Sequence, residues 1–580
     1  MSLTAALRSA SSGLQAAQTA LGVVSDNIAN VNTPGYVRKV ANQQQQVVDG
    51  SGAGVVVTGI SRKADQYLQS ASLTASADAE RWSTVSNQLD TAQTLFGDPS
   101  ADTGFFSGLD QIFGAFASLA DDPSSSVLRS QAIGDIQDFL TASDRIGDQL
   151  SSMKTSLESQ ASSTVDRANT LLGQIASLNG DINRAKLTGG DATGSETLQS
   201  QMLDELSGLM DIKVAARSTG GVDVRSGVGG VLLAGDEAAK LSYQAGAPST
   251  VSVQAAGSAT SRPMQVGSGV LRGLMDLHDN ELPGLSAQLN AFTASAVDQL
   301  NAAHNDSTAV PPPTTLTGRD VGADLPDVVD GFTGAASIVL VDQTANTTTR
   351  KIDIDFDAGT ISVDGAAGVA FTPDDFLDQL NTALGSSGSA TFTDGKLTLT
   401  GNGAGVALDE GTSAKAGRGF SATFGLNDLV VSDGAGGYAV RSDIAADPQK
   451  LAAGKVDASA AVGAISVAPG DGRGASALAA AGNVKIQFPA AGELGALNTT
   501  LSDYAAQFGG SVGRAAAAAE TRADSSEAVA SEASARRQSA EGVNLDEELV
   551  NLSTYQQAYT ASAKLIQAIS EMFDDLFKIV

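Results

Sequence analysis

The chain has 580 residues, more than one ordinary hydrophobic core organises, so about two to four domains are expected. Its net charge of −30 leaves no excess of Lys or Arg to replace phosphate counterions, which argues against nucleic-acid binding. It has no cysteine, which excludes disulfides, thiolate zinc sites and thiol nucleophiles; 63 glycines beside 4% aromatic residues favour small-residue helix contacts and turn-rich β structure.

The first residues, "MSLTAALRSASSGLQAAQTALG", lack a charged start followed by an unbroken apolar run. No cleaved secretory leader is expected. No segment reaches about 18 consecutive apolar residues, so no membrane insertion is expected either. What the stretch does show is spacing. Leu3, Leu7, Ala10, Leu14, Ala17, Leu21, Val24 and Ile28 alternate steps of four and three, the seam of a coiled-coil helix. Burying its large aliphatics is worth roughly 1.5–3 kcal/mol each, and one helix cannot bury its own stripe. The seam therefore needs a partner.

The helix stops in "NIANVNTPGYVRK". Asn30 or Asn32 suits the left-handed conformation after a helix end. Thr33 precedes Pro34 and is pushed out of the helical region; Pro34-Gly35 suits a turn, and Tyr36 restarts an extended segment. Nothing in this loop is a nucleophile, a base or a metal ligand.

From about residue 62 to 212 the pattern is helical, with a start signal at "DPSSS" and a stop at Gly189-Gly190. Residues 212–260 turn strand-like, and 269–304 return to helix before "AVPPP". The composition then changes. "RKIDIDFDAG" alternates as a strand, "SATFTDGKLTLTG" reads as a hairpin about Asp394-Gly395, and "TPDDFLDQLNTAL" opens a short helix. "DIDFDAG" lacks the ordered oxygen ligands of a calcium loop. His278 and His304, the only histidines, read as polar helix positions. No metal, cofactor or catalytic constellation is expected.

The last 36 residues form a second amphipathic helix. Leu545, Leu552, Tyr559, Ile566, Phe573 and Val580 recur every seven residues, flanked by Leu549 on one side and by Tyr555, Ile569 and Leu576 on the other. Asn544 is its expected N-cap, three acids follow, and Lys578 sits near its end, all as the helix dipole favours. Pairing of the two termini is the economical solution; packing of each helix on its own neighbouring domain stays open.

"SGLQAAQTALGVVSDNIANVNTPGYVRK" resembles the N-terminal signature of the flagellar axial proteins, the rod, hook and hook-associated family. "GVNLDEELVNLSTYQQAYTASAKLIQAISEMFDDLFKIV" resembles the matching C-terminal end, with Tyr555 to Tyr559 closer to the hook-associated members than to hook or rod proteins. Segments 52–69, 95–133, 196–214 and 269–305 agree in the same order; 315–490 shows little resemblance.

The resemblance implies a mostly α fold with a β-rich inserted domain. The expected layout is an inner coiled-coil domain from 1–45 and 541–580, and a helical-bundle middle domain from 46–314 and 491–540 with its β part at about 212–260. An outer β-rich insert occupies 315–490. It implies a non-enzymatic structural component joining hook to filament. It would be exported without a cleaved signal by the flagellar type III route, with an export chaperone on the C-terminal helix. Expected partners are further copies in a tubular ring, the hook protein and the second junction protein. Alternatives are another axial protein such as the hook protein, or a soluble enzyme or adhesin with helical ends. The seam residues named above, together with Asn30, Asn32, Pro34, Gly35 and Tyr36, would form the assembly interface.

Overall fold

A computed structural model describes residues 3–33, 35–48, 51–97, 104–434 and 436–579; the side chains of Val48, Ser51, Leu576, Phe577 and Ile579 fall outside the description. Helix α1 (Leu3–Ala29) leads into a hairpin of β1 (Lys39–Val48) and β2 (Ser51–Arg62). Helices α2 (Gln66–Phe96), α3 (Ser107–Asp121), α4 (Ser126–Leu187) and α5 (Thr193–Leu209) follow. Short strands fill Ile212 to Met264, then α6 (Val270–Asp276), a π-helical turn (Leu277–Glu281) and α7 (Leu282–Asn305). Between Thr315 and Thr499 short strands dominate, interrupted by α8 (Leu325–Val329), α9 (Phe376–Leu384), α10 (Phe420–Phe424), α11 (Ser442–Ala446) and α12 (Arg473–Ala480). The chain closes with α13 (Leu501–Glu541) and α14 (Leu545–Ile579). The fold is mostly helical with β-rich sheets in its middle region.

Two compact units emerge. The first comprises residues 1–90, 153–281 and 515–580; the second comprises 91–152 and 282–514. The hairpin β1–β2 in the first unit has no counterpart in the periodicity read above. Its strand β1 carries Gln43 to Gln46 in succession, so neither face alternates. The register runs from Lys39 opposite Arg62 to Gln46 opposite Gly54, with a shift after Asn42.

The second unit has an aromatic centre and an antiparallel β part. Phe292 packs edge-on against Phe105, Phe139 and Phe508, and stacks with Tyr504, which stacks in turn on Phe488 at 4.0 Å. In the β part, strands 369–370, 360–363, 348–355, 335–342 and 404–409 lie side by side in that order. A second sheet orders 315–317, 396–401 and 388–393. The hairpin expected at Asp394-Gly395 is present, with both residues at positive φ, 50° and 71°. Alternate residues of neighbouring strands, Ile338 and Leu340 on one and Ile352 and Ile354 on the next, are buried in one cluster with Phe376 and Phe420.

Both histidines are buried rather than simple polar helix positions. In the first unit, His278 lies between Asp279 (Nδ1 to Oδ1, 2.7 Å) and Glu158 (Nε2 to Oε1, 2.9 Å). In the second, His304 Nδ1 donates to the Asn427 carbonyl at 2.5 Å, and its Nε2 accepts from the Ala452 N–H at 3.0 Å. One donor and one acceptor fix the neutral ring.

Burial pushes His304 down to about 3, against the Asn427 carbonyl, which favours the cation. Because its folded pKa is depressed, its stability contribution is complete above the ordinary value and is lost as pH falls from 6.5 toward 3. Glu410, pushed up to about 7 by burial, acts with the opposite sign: its contribution is lost as pH rises through 7. Comparing wild type with His304→Gln at each pH cancels Glu410 and every other common group. The wild-type denaturation free energy is expected to fall relative to the variant by about 1.4 kcal/mol per pH unit below 6.5. Parallel curves between pH 7 and 4 would contradict the buried neutral ring.

Candidate assembly interface

Helix α1 lies against α14 in the first unit. The two helices come close at Gly13, where an added Cβ would stand 3.1 Å from Ser562 Oγ. Fourteen positions further on, Asn27 donates from Nδ2 to Glu548 Oε2 at 3.1 Å. Between these two contacts the same helical column carries Ala17, Ala20 and Val24, and Ala10 precedes it; all four are buried. Small residues let the two backbones come close.

A second column of α1 meets the hairpin. A Cβ on Gly54 of β2 would lie 2.0 Å from Ser12 Oγ and 3.2 Å from Ser9 Cα, while the Val55 N–H donates to Ser12 Oγ at 3.2 Å. Gly54 also has φ 112°, so glycine is needed there twice over.

The seam leucines sit beside these columns. Leu3, Leu7, Leu14, Leu21 and Ile28 are half-buried, while Val24 is fully buried. On α14, Ile569 is buried, and Leu552, Tyr555, Ile566 and Phe573 are half-buried. Leu545, Leu549 and Tyr559 are exposed by 44%, 49% and 39%, which leaves a strip uncovered beside the α1-facing row. Leu565 and Met572, also exposed, lie to the other side of that row. Of the loop residues, Asn30 and Tyr36 are half-buried, and Asn32 and Gly35 are exposed. Pro34, Val580 and the Leu576 side chain lie outside the described residues.

The loop is fixed by polar contacts that the spacing argument did not single out. Asn27 Oδ1 accepts from Tyr36 Oη at 3.0 Å and from the Lys39 N–H at 2.9 Å, and its Nδ2 also donates to the Lys39 carbonyl at 2.9 Å. Arg38 Nε donates to Glu548 Oε1 at 2.7 Å and its Nη1 to Glu547 Oε2 at 2.9 Å. Asn27 and Glu548 are each 1% exposed. Burial, then Asp26 and Glu548, push Tyr36 up to about 12, so its phenol stays a neutral donor. Gly35, at φ 73°, brings the turn onto α5, where a Cβ would meet Gln201 at 3.1 Å.

Behind the loop, Glu541 Oε1 accepts from the Asp65 N–H at 2.6 Å and Oε2 from Arg537 Nε at 3.0 Å. Arg537 also donates to Asp204 at 2.8 Å and to Ser200 at 2.9 Å. The expected cap is in place: Asn544 Oδ1 accepts from the Asp546 N–H at 3.0 Å at the start of α14. Asn27 and Glu548 had a signal in the sequence, since each continues a three-four column, but an apolar filter passes over them. Among the described residues no group of three His, Cys, Asp or Glu side chains could hold a metal ion, and no helix is long and apolar enough to cross a membrane.

These features match known families segment by segment. The flagellar hook-associated protein FlgK helical domain matches residues 87–324, the flagella basal body rod protein 7–36, and the flagellar basal body rod FlgEFG protein C-terminal 537–579. Flagellar hook-associated protein 1 of Salmonella typhimurium is 26% identical, and that of Escherichia coli 25%, each over the whole of both chains. The Bacillus subtilis protein of that name is 25% identical over 39% of this chain and 46% of its own. In fold, the chain is similar to the flagellar hook junction protein FlgK from Burkholderia pseudomallei, with a TM-score of 0.51 at 17% identity. The match covers 82% of this chain and all of that one. With the terminal motifs, the loop and the central helical region all accounted for in order, the chain is similar along its whole length to flagellar hook-associated protein 1.

Proposed function

We propose that this chain is a structural joint of the bacterial flagellum, set between hook and filament and built in by the packing of its own terminal helices. The observation that carries this is the pair α1 and α14. Segments from opposite ends of the chain lie together; α14 still exposes Leu545, Leu549, Tyr559, Leu565 and Met572 to water, and the leucines of α1 are only half-buried. Such strips are interaction surfaces. Neighbouring copies cover them in a coiled-coil tube, with the Asn30–Tyr36 turn at the corner where the helix leaves it.

The other contacts of the joint are the hook protein below and the second junction protein above. The chain travels unfolded through the flagellar export channel, and before export a chaperone shields α14. The cysteine-free sequence suits such a passage. A strain lacking the chain is expected to assemble hooks but to shed filament subunits into the medium, and a tagged copy is expected at the hook tip. Filaments attached in normal number without the chain would sink this reading.

A further inference from the structure

The geometry points to a head-to-tail contact in which Tyr67 of one copy enters a cavity beneath the Asn30–Tyr36 turn of the next. It rests on the reading that copies assemble side by side. Tyr67 stands on the first turn of α2 and is 87% exposed. Its backbone is held: the Tyr67 and Leu68 N–H groups donate to Asp65 Oδ1 at 2.9 and 3.2 Å, and Asp65 is itself tied to Glu541. A rigidly presented aromatic ring in water is the kind of anchor that interfaces use.

The cavity has a volume of about 630 Å³. Val31 and Leu73 supply apolar wall, and Ser72, Ser76, Ser534 and Gln538 supply polar groups. The charged side chains at its edge, Arg537, Asp204 and Glu541, are already paired with one another. The side chains of those three serines and Gln538 make no hydrogen bond among the described residues. A site with an apolar wall, free hydroxyls and satisfied charges suits a flat apolar body with one polar tip, which describes a phenol.

Placement decides the partner. At 3.6 residues per turn, Ser72, Leu73 and Ser76 lie roughly 140–240° around α2 from Tyr67. Ring and cavity therefore occupy opposite faces of one helix. A single copy cannot fill its own cavity this way. A contact between two different patches is heterologous, and it repeats from copy to copy around a ring or along a helix.

The cysteine-free chain makes the test clean. Tyr67→Cys combined with Ser76→Cys is produced in cells that build flagella, and a short bis-maleimide is added, because the missing ring leaves a gap between the thiols. A ladder of dimers and higher species on a denaturing gel is expected, with neither single variant giving one. Tyr67→Ala and the cavity-filling Ser76→Trp are each expected to reduce shear-resistant filaments about tenfold, with Tyr67→Phe losing less. The double variant seated at the hook tip without a ladder would overturn the contact. So would Tyr67→Ala with normal filaments, even where the double variant fails to assemble. If the wild-type chain is absent from the hook tip, the assembly reading falls first and the contact with it.

Discussion

Replacing Leu549 by Asp is expected to leave the isolated chain folded and to abolish filament attachment. Leu549 is 49% exposed, so in a single copy a carboxylate there keeps most of its water. Surface changes of this kind usually alter stability by no more than about 0.5 kcal/mol. In the proposed tube a neighbour's apolar strip covers the same position. An ionised carboxylate without a partner then costs several kcal/mol, repeated at every copy. Leu21→Asp and Ile566→Asp should fail as well, but both positions are half-buried within the chain, so they also weaken the monomer. The readouts are denaturation of the purified protein, motility, and filament subunits in the medium. A motile strain with Leu549→Asp and intact junctions would remove the α14 strip from the assembly surface.

The second large effect is expected at Glu548→Ala. Glu548 is 1% exposed, and it holds Arg38 and Asn27 together. Removing one partner of a buried ion pair leaves the other charge stranded, typically at a cost of about 3–5 kcal/mol. Arg38 keeps Glu547, which is exposed, and the low end of that range is therefore expected. Glu548→Gln retains an acceptor for Asn27 Nδ2 and should lose less. Chemical denaturation gives the magnitude. Hydrogen exchange along α1 gives the location, since the loss should appear as earlier opening of α1 from α14. A Glu548→Ala protein within about 1 kcal/mol of wild type, with α1 equally protected, would show that Asn27 and Glu548 do not hold the two helices in register.

The long elements were legible because they obey simple periods. The heptad spacing marked α1 and α14, Asn544 marked where α14 starts, and Asp394-Gly395 marked a hairpin. The facing was harder to read. The seam held Ala10, Ala17 and Val24 of the column of α1 that meets α14, but it passed over Gly13, Ala20 and Asn27, which complete that column. Close backbone approach selects small residues, and a periodicity weighted by hydrophobic size is nearly blind to them. The hairpin β1–β2 was hidden for a related reason. Gln43 to Gln46 are polar on both faces, so no alternation marks a strand there. Tertiary contact to α1, through Gly54 and Val55, helps to hold what local preference does not. Arg537 and Glu541 are four residues apart on α13, but their contacts to Asp204 and Asp65, like that of Arg38 to Glu548, reach hundreds of residues away and no pattern shows them.

The division of α1 and α14 into covered and uncovered columns sets a valence. On α1, α14 takes one column and β2 a second, which leaves the leucine edge. On α14 the uncovered side chains fall on both flanks, with Leu545, Leu549 and Tyr559 on one side and Leu565 and Met572 on the other. A molecule with one sticky strip satisfies itself by pairing once, and growth ends at a dimer. A molecule with strips facing different ways cannot be saturated by one neighbour. In the proposed assembly each added copy presents a fresh edge until the circumference closes, and the leftover side chains of the terminal pair are what recruits the next one.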